Sequence, residues 1–213
     1  MKYKIDLHVH SKFSGDNDSD PEETVLVAIE RGLHGIAFTE HYHYNASESV
    51  ESLREKYRDR ILIMRGVEFS TAEGHCLVFG ADTDKLSLVS ASVHDVIRAV
   101  HGIGGVVIAS HPFRSVNSLG DSIWSVRGLC ALEGFNGGNM HVFNVKAIKA
   151  AAQLNLPYTG GSDAHSSYEV GSCYTAFRDC VTEENFIDLL KGGDYLGVDT
   201  RKISRTIVNS FSP

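Results

Sequence analysis

Histidines and carboxylates lie close together in the stretch KIDLHVHSKFSGD, residues 4–16. Side chains two apart on a strand point to the same side, so we expect Asp6, His8 and His10 to share one face of a first strand. Buried polar groups without partners are costly, and water or a metal ion would compensate these imidazoles. Asp6 is placed to orient one of them. This stretch is therefore a candidate metal site.

Further histidines and carboxylates stand at the ends of later strand-like segments. They are Glu40, His41, Glu68, His111, Glu133, Asn136, Asp163 and His165, while His75 begins a short strand. The C-terminal ends of parallel strands in a barrel meet at one rim, where active sites lie. We therefore expect several separate segments to bring these side chains together. Imidazoles and carboxylates without thiolates suit zinc, manganese or iron and do not choose among them.

Apolar strand-like segments alternate with helical ones along nearly the whole chain. The predicted helices lie near residues 21–32, 47–58, 92–101, 141–154 and 182–191. Such alternation predicts an α/β fold, with a mostly parallel sheet and helices outside it. Asp20 followed by Pro21 is typical of a helix start. No repeat, linker or biased segment divides the chain, so we expect a single domain over residues 1–213.

The composition indicates an ordinary intracellular protein. The chain has 213 residues, of which 42% are hydrophobic and 22% charged, and a net charge of −7. This charge provides no field to hold a polyanion, so nucleic acid is not favoured as a partner. The four cysteines form no CxxC pair, and no apolar run approaches the ~20 residues of a membrane span. We predict a cytoplasmic protein without membrane association; the sequence does not indicate its oligomeric state.

Five motifs in this order resemble those of the PHP family, named for polymerase and histidinol phosphatase: DLHVHSKFSGD, FTEHY, RGVEFS, SHPFR and GSDAHSS. The resemblance extends from about residue 5 to about residue 180. It implies a distorted seven-stranded (β/α)7 barrel, similar to a TIM barrel, with the active site at the C-terminal strand ends. It also implies two or three divalent metal ions there.

By the same resemblance, nine side chains would hold these ions. One ion would bind to His8, His10, Glu68 and Asp163. Glu68 would bridge to a second ion, which His75 and His111 complete. A third would bind to Asp16, His41 and His165. The S-x-D pattern favours Asp16 over its acidic neighbours in the loop, and Glu40, where relatives often carry aspartate, is not expected to be a ligand.

The charge of such a centre suits a phosphate ester. Three divalent ions bring six positive charges, and Asp16, Glu68 and Asp163 remove three of them. A metal pair lowers the pKa of bound water towards ~7 and holds the phosphoryl oxygen. We therefore predict hydrolysis of a small phosphomonoester by a metal-bridging hydroxide, with Glu68 and Asp163 holding the catalytic ions.

Three residues are candidates for contact with the substrate. Arg114, in SHPFR, would bind phosphate oxygens through its forked guanidinium, although a surface salt bridge is nearly as good an interpretation. His43 and His141 are further substrate-binding candidates, and either could supply a proton to the leaving group.

Three alternatives remain open on the sequence. The same motifs occur in PHP exonucleases and phosphodiesterases that act on oligonucleotide ends. A metal-binding module without turnover is a second alternative. Metal-assisted amide hydrolysis is a third, but the chain has no lysine at a strand end of the kind that such barrels carbamylate.

Overall fold

Nine strands form one sheet within residues 2–88 and 90–201, the part of the chain that the computed structural model describes. The strands are β1 (Tyr3–Val9), β2 (Gly35–Phe38), β3 (Leu62–Ser70), β4 (His75–Phe79), β5 (Val106–Ala109), β6 (Ala131–Asn136), β7 (Tyr158–Gly161), β8 (Cys173–Phe177) and β9 (Tyr195–Asp199). Their order is β7-β6-β5-β4-β3-β2-β1-β8-β9. In this described part, β4 and β8 run against the other seven strands.

Hydrogen bonds between β1 and the end of β7 nearly close this sheet into a barrel. The Asp163 N–H donates to the His8 carbonyl at 2.7 Å, and the His10 N–H donates to the Ala164 carbonyl at 3.0 Å. The α/β class and the mostly parallel sheet agree with the sequence prediction, whereas a seven-stranded barrel is not confirmed.

The sequence predicts eight strand-like segments, from YKIDLHVH near the start to YTAF at residues 174–177, and β9 is the one strand of the described residues that is not among them. Gly197 lies at its centre, and glycine lowers the propensity for a strand. A Cβ at this position would stand 2.4 Å from the Thr159 carbonyl oxygen, so the close approach of β9 to β7 requires glycine.

Five α-helices connect the strands: α1 (Pro21–Glu30), α2 (Glu51–Tyr57), α3 (Val93–Gly102), α4 (His141–Leu154) and α5 (Phe186–Gly192). The Asp20 carboxylate caps α1 by accepting the Glu22 N–H at 2.9 Å, as expected for a helix start of this kind. Helix α2 begins later than predicted, because a 3-10 helix precedes it over Tyr44–Val50. No helix in residues 2–88 and 90–201 is both long enough and apolar enough to span a membrane.

Apolar clusters on both faces fix the strands. One contains Leu7, Met64 and Leu77 and continues into α5 through Leu190. Others pack α1 and α3 against the opposite faces of the strands. Each fully buried side chain of this size contributes roughly 1.5–3 kcal/mol. The strand ends are therefore held rigidly. The basic residues Lys202 and Arg205 of the C-terminal RKISRT segment lie outside the described residues.

An extra residue in β1 changes which side chains face the rim. Asp6 pairs with Ile36 and Val9 pairs with Phe38, so β1 has one residue more than β2 between these two positions. Such a bulge reverses the alternation of the strand. Asp6 consequently lies on the face of Ile36 and not with His8. The prediction that Asp6, His8 and His10 share one face is wrong for this reason.

Candidate metal centre

Four buried side chains converge at the ends of β1, β3 and β7. They are His8, His10, Glu68 and Asp163, whose potential ligand atoms all lie within 4.8 Å of one another. The two Nε2 atoms of His8 and His10 are 3.0 Å apart. Each is 3.3 Å from Oδ1 of Asp163 and 3.5 Å from an oxygen of Glu68.

These separations fit a bound metal ion. Ligand atoms 2.0–2.2 Å from a tetrahedral ion are roughly 3.3–3.6 Å from one another, which is close to the spacing found here. Hydrogen bonding explains the arrangement less well, because two Nε2 atoms and two carboxylates share only the protons of the imidazoles. The four residues therefore have the geometry and chemistry of a first metal site.

The second nitrogen of each imidazole is held by another side chain. His8 Nδ1 lies 2.9 Å from Glu133 Oε1, and His10 Nδ1 lies 2.9 Å from Ser14 Oγ. Donation from Nδ1 fixes the tautomer that leaves the Nε2 lone pair free, as is usual for metal-binding histidines. The sequence placed Glu133 at a strand end but gave it no role; its signal was a glutamate within the apolar segment CALEGF.

A second bulge brings Glu133 and Asn136 to the same site. The register of β6 with β7 shifts between Glu133 and Phe135, and the Asn136 side chain donates to Glu133 Oε2 at 2.9 Å. The same oxygen accepts the His111 N–H at 2.7 Å. Glu133 thus orients His8 through one oxygen and fixes the backbone of His111 through the other.

Three imidazoles surround Glu68. Its Oε1 lies 2.8 Å from His111 Nε2 and 3.2 Å from His75 Nδ1. Its Oε2 lies 3.0 Å from His41 Nδ1, yet that buried nitrogen has no hydrogen-bond partner. A close approach without hydrogen-bond geometry fits a shared metal ion. The structure therefore brings His75 and His111 to Glu68, as the resemblance implies, and adds His41.

Asp16 and two imidazoles form a more exposed group beside the first. Asp16 Oδ2 is 3.0 Å from both His41 Nε2 and His165 Nε2. These are the three residues that the resemblance assigns to a third ion. His41 lies between this group and Glu68, facing one with each nitrogen.

Two buried acids support the centre without belonging to it. Glu40 accepts hydrogen bonds from Ser14 Oγ at 2.5 Å, from Ser11 Oγ at 2.5 Å and from the Ser11 N–H at 3.0 Å, so both of its oxygens are already hydrogen-bonded. Asp6 accepts the backbone N–H groups of Ser162 at 2.8 Å and Gly171 at 2.7 Å. It holds the loops beyond β7 and also accepts the His8 backbone N–H at 3.3 Å; among the described residues it contacts no imidazole ring, contrary to expectation.

The three substrate candidates are distributed differently. Arg114 lies at the metal centre, where its Nη2 donates to Asp163 Oδ2 and to Asn136 Oδ1. His43 is largely exposed and its Nδ1 lies 3.3 Å from Asp84, outside the ligand groups. His141 is exposed at the first residue of α4.

Two family models match the chain. One, described as PHP domain, matches residues 6–111, and the other, described as PHP-associated, matches residues 142–195. Together the two matches include all nine candidate ligands, seven in the first match and Asp163 and His165 in the second. The chain belongs to the PHP family.

Two curated relatives of this PHP chain have phosphatase names. The histidinol-phosphatase of Lactococcus lactis is 32% identical over 117 residues, which are 49% of this chain and 42% of that protein. The chain thus matches less than half the length of this relative. The probable phosphatase YcdX of Escherichia coli is 24% identical over 87% of this chain and 86% of that protein. The family and these relatives confirm the predicted enzyme class, a hydrolase acting on phosphate esters.

A solved structure shares the fold of this PHP chain. It is a two-domain protein from Bacteroides vulgatus that contains a predicted PHP-like metal-dependent phosphoesterase. The TM-score is 0.72 at 22% identity, and the likeness covers 92% of this chain and 64% of that one. At this identity the comparison supports the fold alone.

The charges of the PHP centre shift the pKa values of its members in opposite directions. Burial alone would raise the pKa of Glu68, but the neighbouring imidazoles, first that of His8, hold it well below its usual range. Burial alone would lower the pKa of His8, but the carboxylates of Asp163, Glu133 and Glu68 hold it well above its usual range. Burial lowers the pKa of His10 to about 4. Metal binding would therefore displace the proton of His8.

The structure also changes the charge count made from the sequence. Glu133 adds a fourth carboxylate beside the ligands, so three divalent ions would leave a smaller positive surplus than predicted. Burial raises the pKa of Glu40, against the hydrogen bonds from Ser11 and Ser14. Burial likewise raises the pKa of Asp6 to about 6. Both shifts are towards the neutral acid, but a pKa of about 6 leaves Asp6 mostly ionised at pH 7.

Proposed function

We propose that this chain is a metal-dependent phosphoesterase that hydrolyses a small phosphomonoester. The observation that carries the proposal is the buried group of His8, His10, Glu68 and Asp163, whose ligand atoms all lie within 4.8 Å of one another. Ionisable side chains that only stabilise a fold are seldom buried in contact with several others.

Two or three divalent ions of zinc, manganese or iron would bind here. His8, His10, Glu68 and Asp163 would hold the first ion. Glu68, His75 and His111 would hold the second, with His41 close to it, and Asp16, His41 and His165 would hold the third. When bound, such ions lower the pKa of water and polarise a phosphoryl oxygen.

The chain's own residues would orient the ester and the ligands. In hydrolysis, the oxygen of water bonds to phosphorus, the bond from phosphorus to the ester oxygen breaks, and the alcohol leaves with a proton. Arg114, held by Asn139 at 2.9 Å and by Asp163, would present its remaining N–H groups to a phosphate oxygen. Glu133 and Ser14 would keep His8 and His10 in the tautomer that binds metal.

Several observations favour a small substrate over a polymer. The net charge is −7, which opposes a long polyanion. The names of the curated relatives include a histidinol-phosphatase. We further propose that residues 1–213 form one domain, supported by a single sheet that includes strands from both family matches. Four free cysteines support a reducing compartment, the cytoplasm.

The test combines metal analysis with a panel of substrates. Purified protein should contain two or three transition-metal ions per chain and should hydrolyse phosphomonoesters in their presence. The double variant His8→Ala, His10→Ala should lose the metal and the activity, whereas His94→Ala, an exposed histidine on α3, should retain both. An unchanged metal content in the double variant would show that the site is wrongly assigned. Activity on a diester or on oligonucleotide ends, without activity on a monoester, would favour the nuclease alternative.

A further inference from the structure

A cleft of about 310 Å³ is lined by the loop after β2, the end of β3 and the segment that follows β4. Its lining includes Tyr42, His43, Phe69, Ser70, Asp84 and Leu86. Two of these residues adjoin candidate ligands, because Tyr42 follows His41 and Ser70 pairs with His75 across the β3–β4 hairpin. The volume is near the lower limit for small-molecule sites and is enough for one ring with small substituents.

Tyr42 is held in an uncommon backbone conformation at the mouth of this cleft. Its φ is 67°, in the left-handed region that residues other than glycine seldom adopt. A tight turn imposes this conformation, since the His43 N–H donates to the His41 carbonyl at 2.8 Å and the Tyr42 N–H donates to the Glu68 carbonyl at 3.2 Å. The side chain is nevertheless 57% exposed. The strain therefore presents the phenol ring to solvent and does not serve packing of the core.

Two other residues at this rim share the conformation. His111 has a φ of 26° and Asp163 a φ of 53°, and both are candidate metal ligands. Strained backbone is characteristic of positions where function fixes a side chain. The Tyr42 ring lies 5.6 Å, between ring centroids, from the imidazole of the candidate ligand His41, so it stands beside the centre with more than half of its surface exposed.

The remaining residues of the cleft favour the binding of an apolar part of a ligand. The Asp84 carboxylate already accepts the Asn45 N–H at 2.8 Å and the Tyr44 N–H at 3.3 Å, which fixes the loop that carries Tyr42. Its Oδ1 also lies 3.3 Å from His43 Nδ1, so both oxygens already have partners within this loop. Phe69 and Leu86, both partly buried, form an apolar wall.

We propose that this cleft binds the leaving group of the substrate, and that Tyr42 selects phosphate esters whose alcohol carries a planar, largely apolar ring. The proposal rests on the proposed phosphoesterase function. Such a ring would stack on the phenol of Tyr42 while the phosphate lies at the metal centre. Aromatic pairs gain stability beyond the area that they bury, and the fixed loop reduces the cost of ordering on binding.

A second cleft, of about 270 Å³, reaches the centre at the candidate ligand Asp163 and also includes Tyr168 and Arg201. It is less suited to the leaving group, because the Arg201 guanidinium is already bound to Asp199 and to the carbonyls of Gly137 and Asn139. Tyr168 is 72% exposed. It provides a matched control, as an exposed tyrosine that lines this second cleft.

The test compares benzyl phosphate with propyl phosphate, using metal-loaded protein. Both esters release unactivated alcohols, so the chemical step is similar and the difference measures recognition of the ring. In Tyr42→Ala the ratio of kcat/KM for benzyl to propyl phosphate should fall roughly fivefold to tenfold, mainly through KM. Tyr42→Phe, which keeps the ring, should retain the wild-type ratio, and so should Tyr168→Ala. Metal content, measured for each variant, should equal that of the wild type.

Three results would overturn the inference. One is an equal loss for both esters in Tyr42→Ala with its metal intact. Another is the same fall in the ratio for Tyr168→Ala. If the metal-loaded wild type hydrolyses neither ester, the proposed function itself is wrong, and this inference fails with it.

Discussion

Glu133 Oε1 accepts a hydrogen bond from His8 Nδ1 at 2.9 Å. The other ring nitrogen, His8 Nε2, lies 3.0 Å from His10 Nε2 on the opposite side of the imidazole. Both residues are fully buried. The contact therefore fixes the direction of the first candidate ligand in the chain. The other oxygen of Glu133 accepts hydrogen bonds from the His111 N–H and from the Asn136 side chain, so one carboxylate connects three strand ends of the centre.

Glu133→Gln should weaken metal binding about 10- to 100-fold, the usual cost of losing a group that orients a ligand. Both oxygens of Glu133 accept hydrogen bonds, whereas glutamine offers a single acceptor, so one of these contacts must be lost. Zinc affinity, measured by competition with a chromophoric chelator, checks the prediction. Glu184→Gln, an exposed glutamate, is the control; equal affinities in the two variants would contradict the role assigned to Glu133.

Ser14→Ala should reduce both metal affinity and stability. Ser14 Oγ contacts His10 Nδ1 at 2.9 Å, donates to Glu40 at 2.5 Å and accepts the His41 N–H at 3.2 Å. Alanine would leave buried polar groups without partners, at a cost of about 1–3 kcal/mol. Urea unfolding measures the stability change, with the exposed Ser52→Ala as control. A loss of stability without any loss of metal affinity would restrict Ser14 to a structural role.

Much of this centre was predictable because strand ends converge. Histidines and acids after β1, β2, β5 and β7 had to meet at one rim once the strands were parallel. The features of the centre that the sequence does not predict depend on the register between neighbouring strands. The bulge in β1 removes Asp6 from the face of His8, and the bulge in β6 brings Glu133 and Asn136 together. A single inserted residue reverses alternation, and the sequence carries no clear signal for it.

The role of His41 shows a second limit. Its position after β2 predicted membership of the centre, but not that one nitrogen would face Glu68 and the other Asp16. That choice depends on side-chain rotamers and on neighbours distant in sequence, which the strand pattern does not specify. Helix starts were predicted best where a capping side chain acts locally, as at Asp20.

Asp199→Asn should destabilise the protein at pH 7 by about 2 kcal/mol, the scale of hydrogen bonds to charged groups. Burial alone would raise the pKa of Asp199, but hydrogen bonds and charge from Arg201 lower it below its ordinary value of 3.8. Because this pKa is lower in the folded than in the unfolded protein, ionised Asp199 stabilises the folded state above pH 3.8. This stabilisation is lost as the pH falls through the pKa that Asp199 has in the folded protein. The difference between variant and wild type should therefore shrink under acid.

Thermal unfolding of both metal-free proteins from pH 7 to pH 3 checks this prediction. Metal is removed from both so that protonation of its ligands does not dominate the comparison. A difference that stays constant as the pH falls would show that the charge of Asp199 is not what stabilises the fold.

Gly161→Ala should damage the metal centre although it adds only one carbon. A Cβ at Gly161 would stand 2.4 Å from His8 Cβ and 2.9 Å from Glu133 Oε1. No contact between carbon atoms is that short, so β7 must move away from β1, and Asp163, two residues beyond Gly161, must move with it. Overpacking of this kind costs about 1–3 kcal/mol, and zinc affinity should fall as well.

Gly192→Ala makes the same chemical change as Gly161→Ala, and we expect the opposite effect on stability. Gly192 is the last residue of α5, and nothing lies within 4 Å of the Cβ that alanine would add. Alanine should therefore stabilise this helix by roughly 0.5–1 kcal/mol and leave metal affinity unchanged. Parallel measurements of unfolding and zinc competition on the two variants separate the effects. Because Gly161 contacts His8 directly, normal zinc affinity in Gly161→Ala would mean that β7 does not fix the position of this ligand.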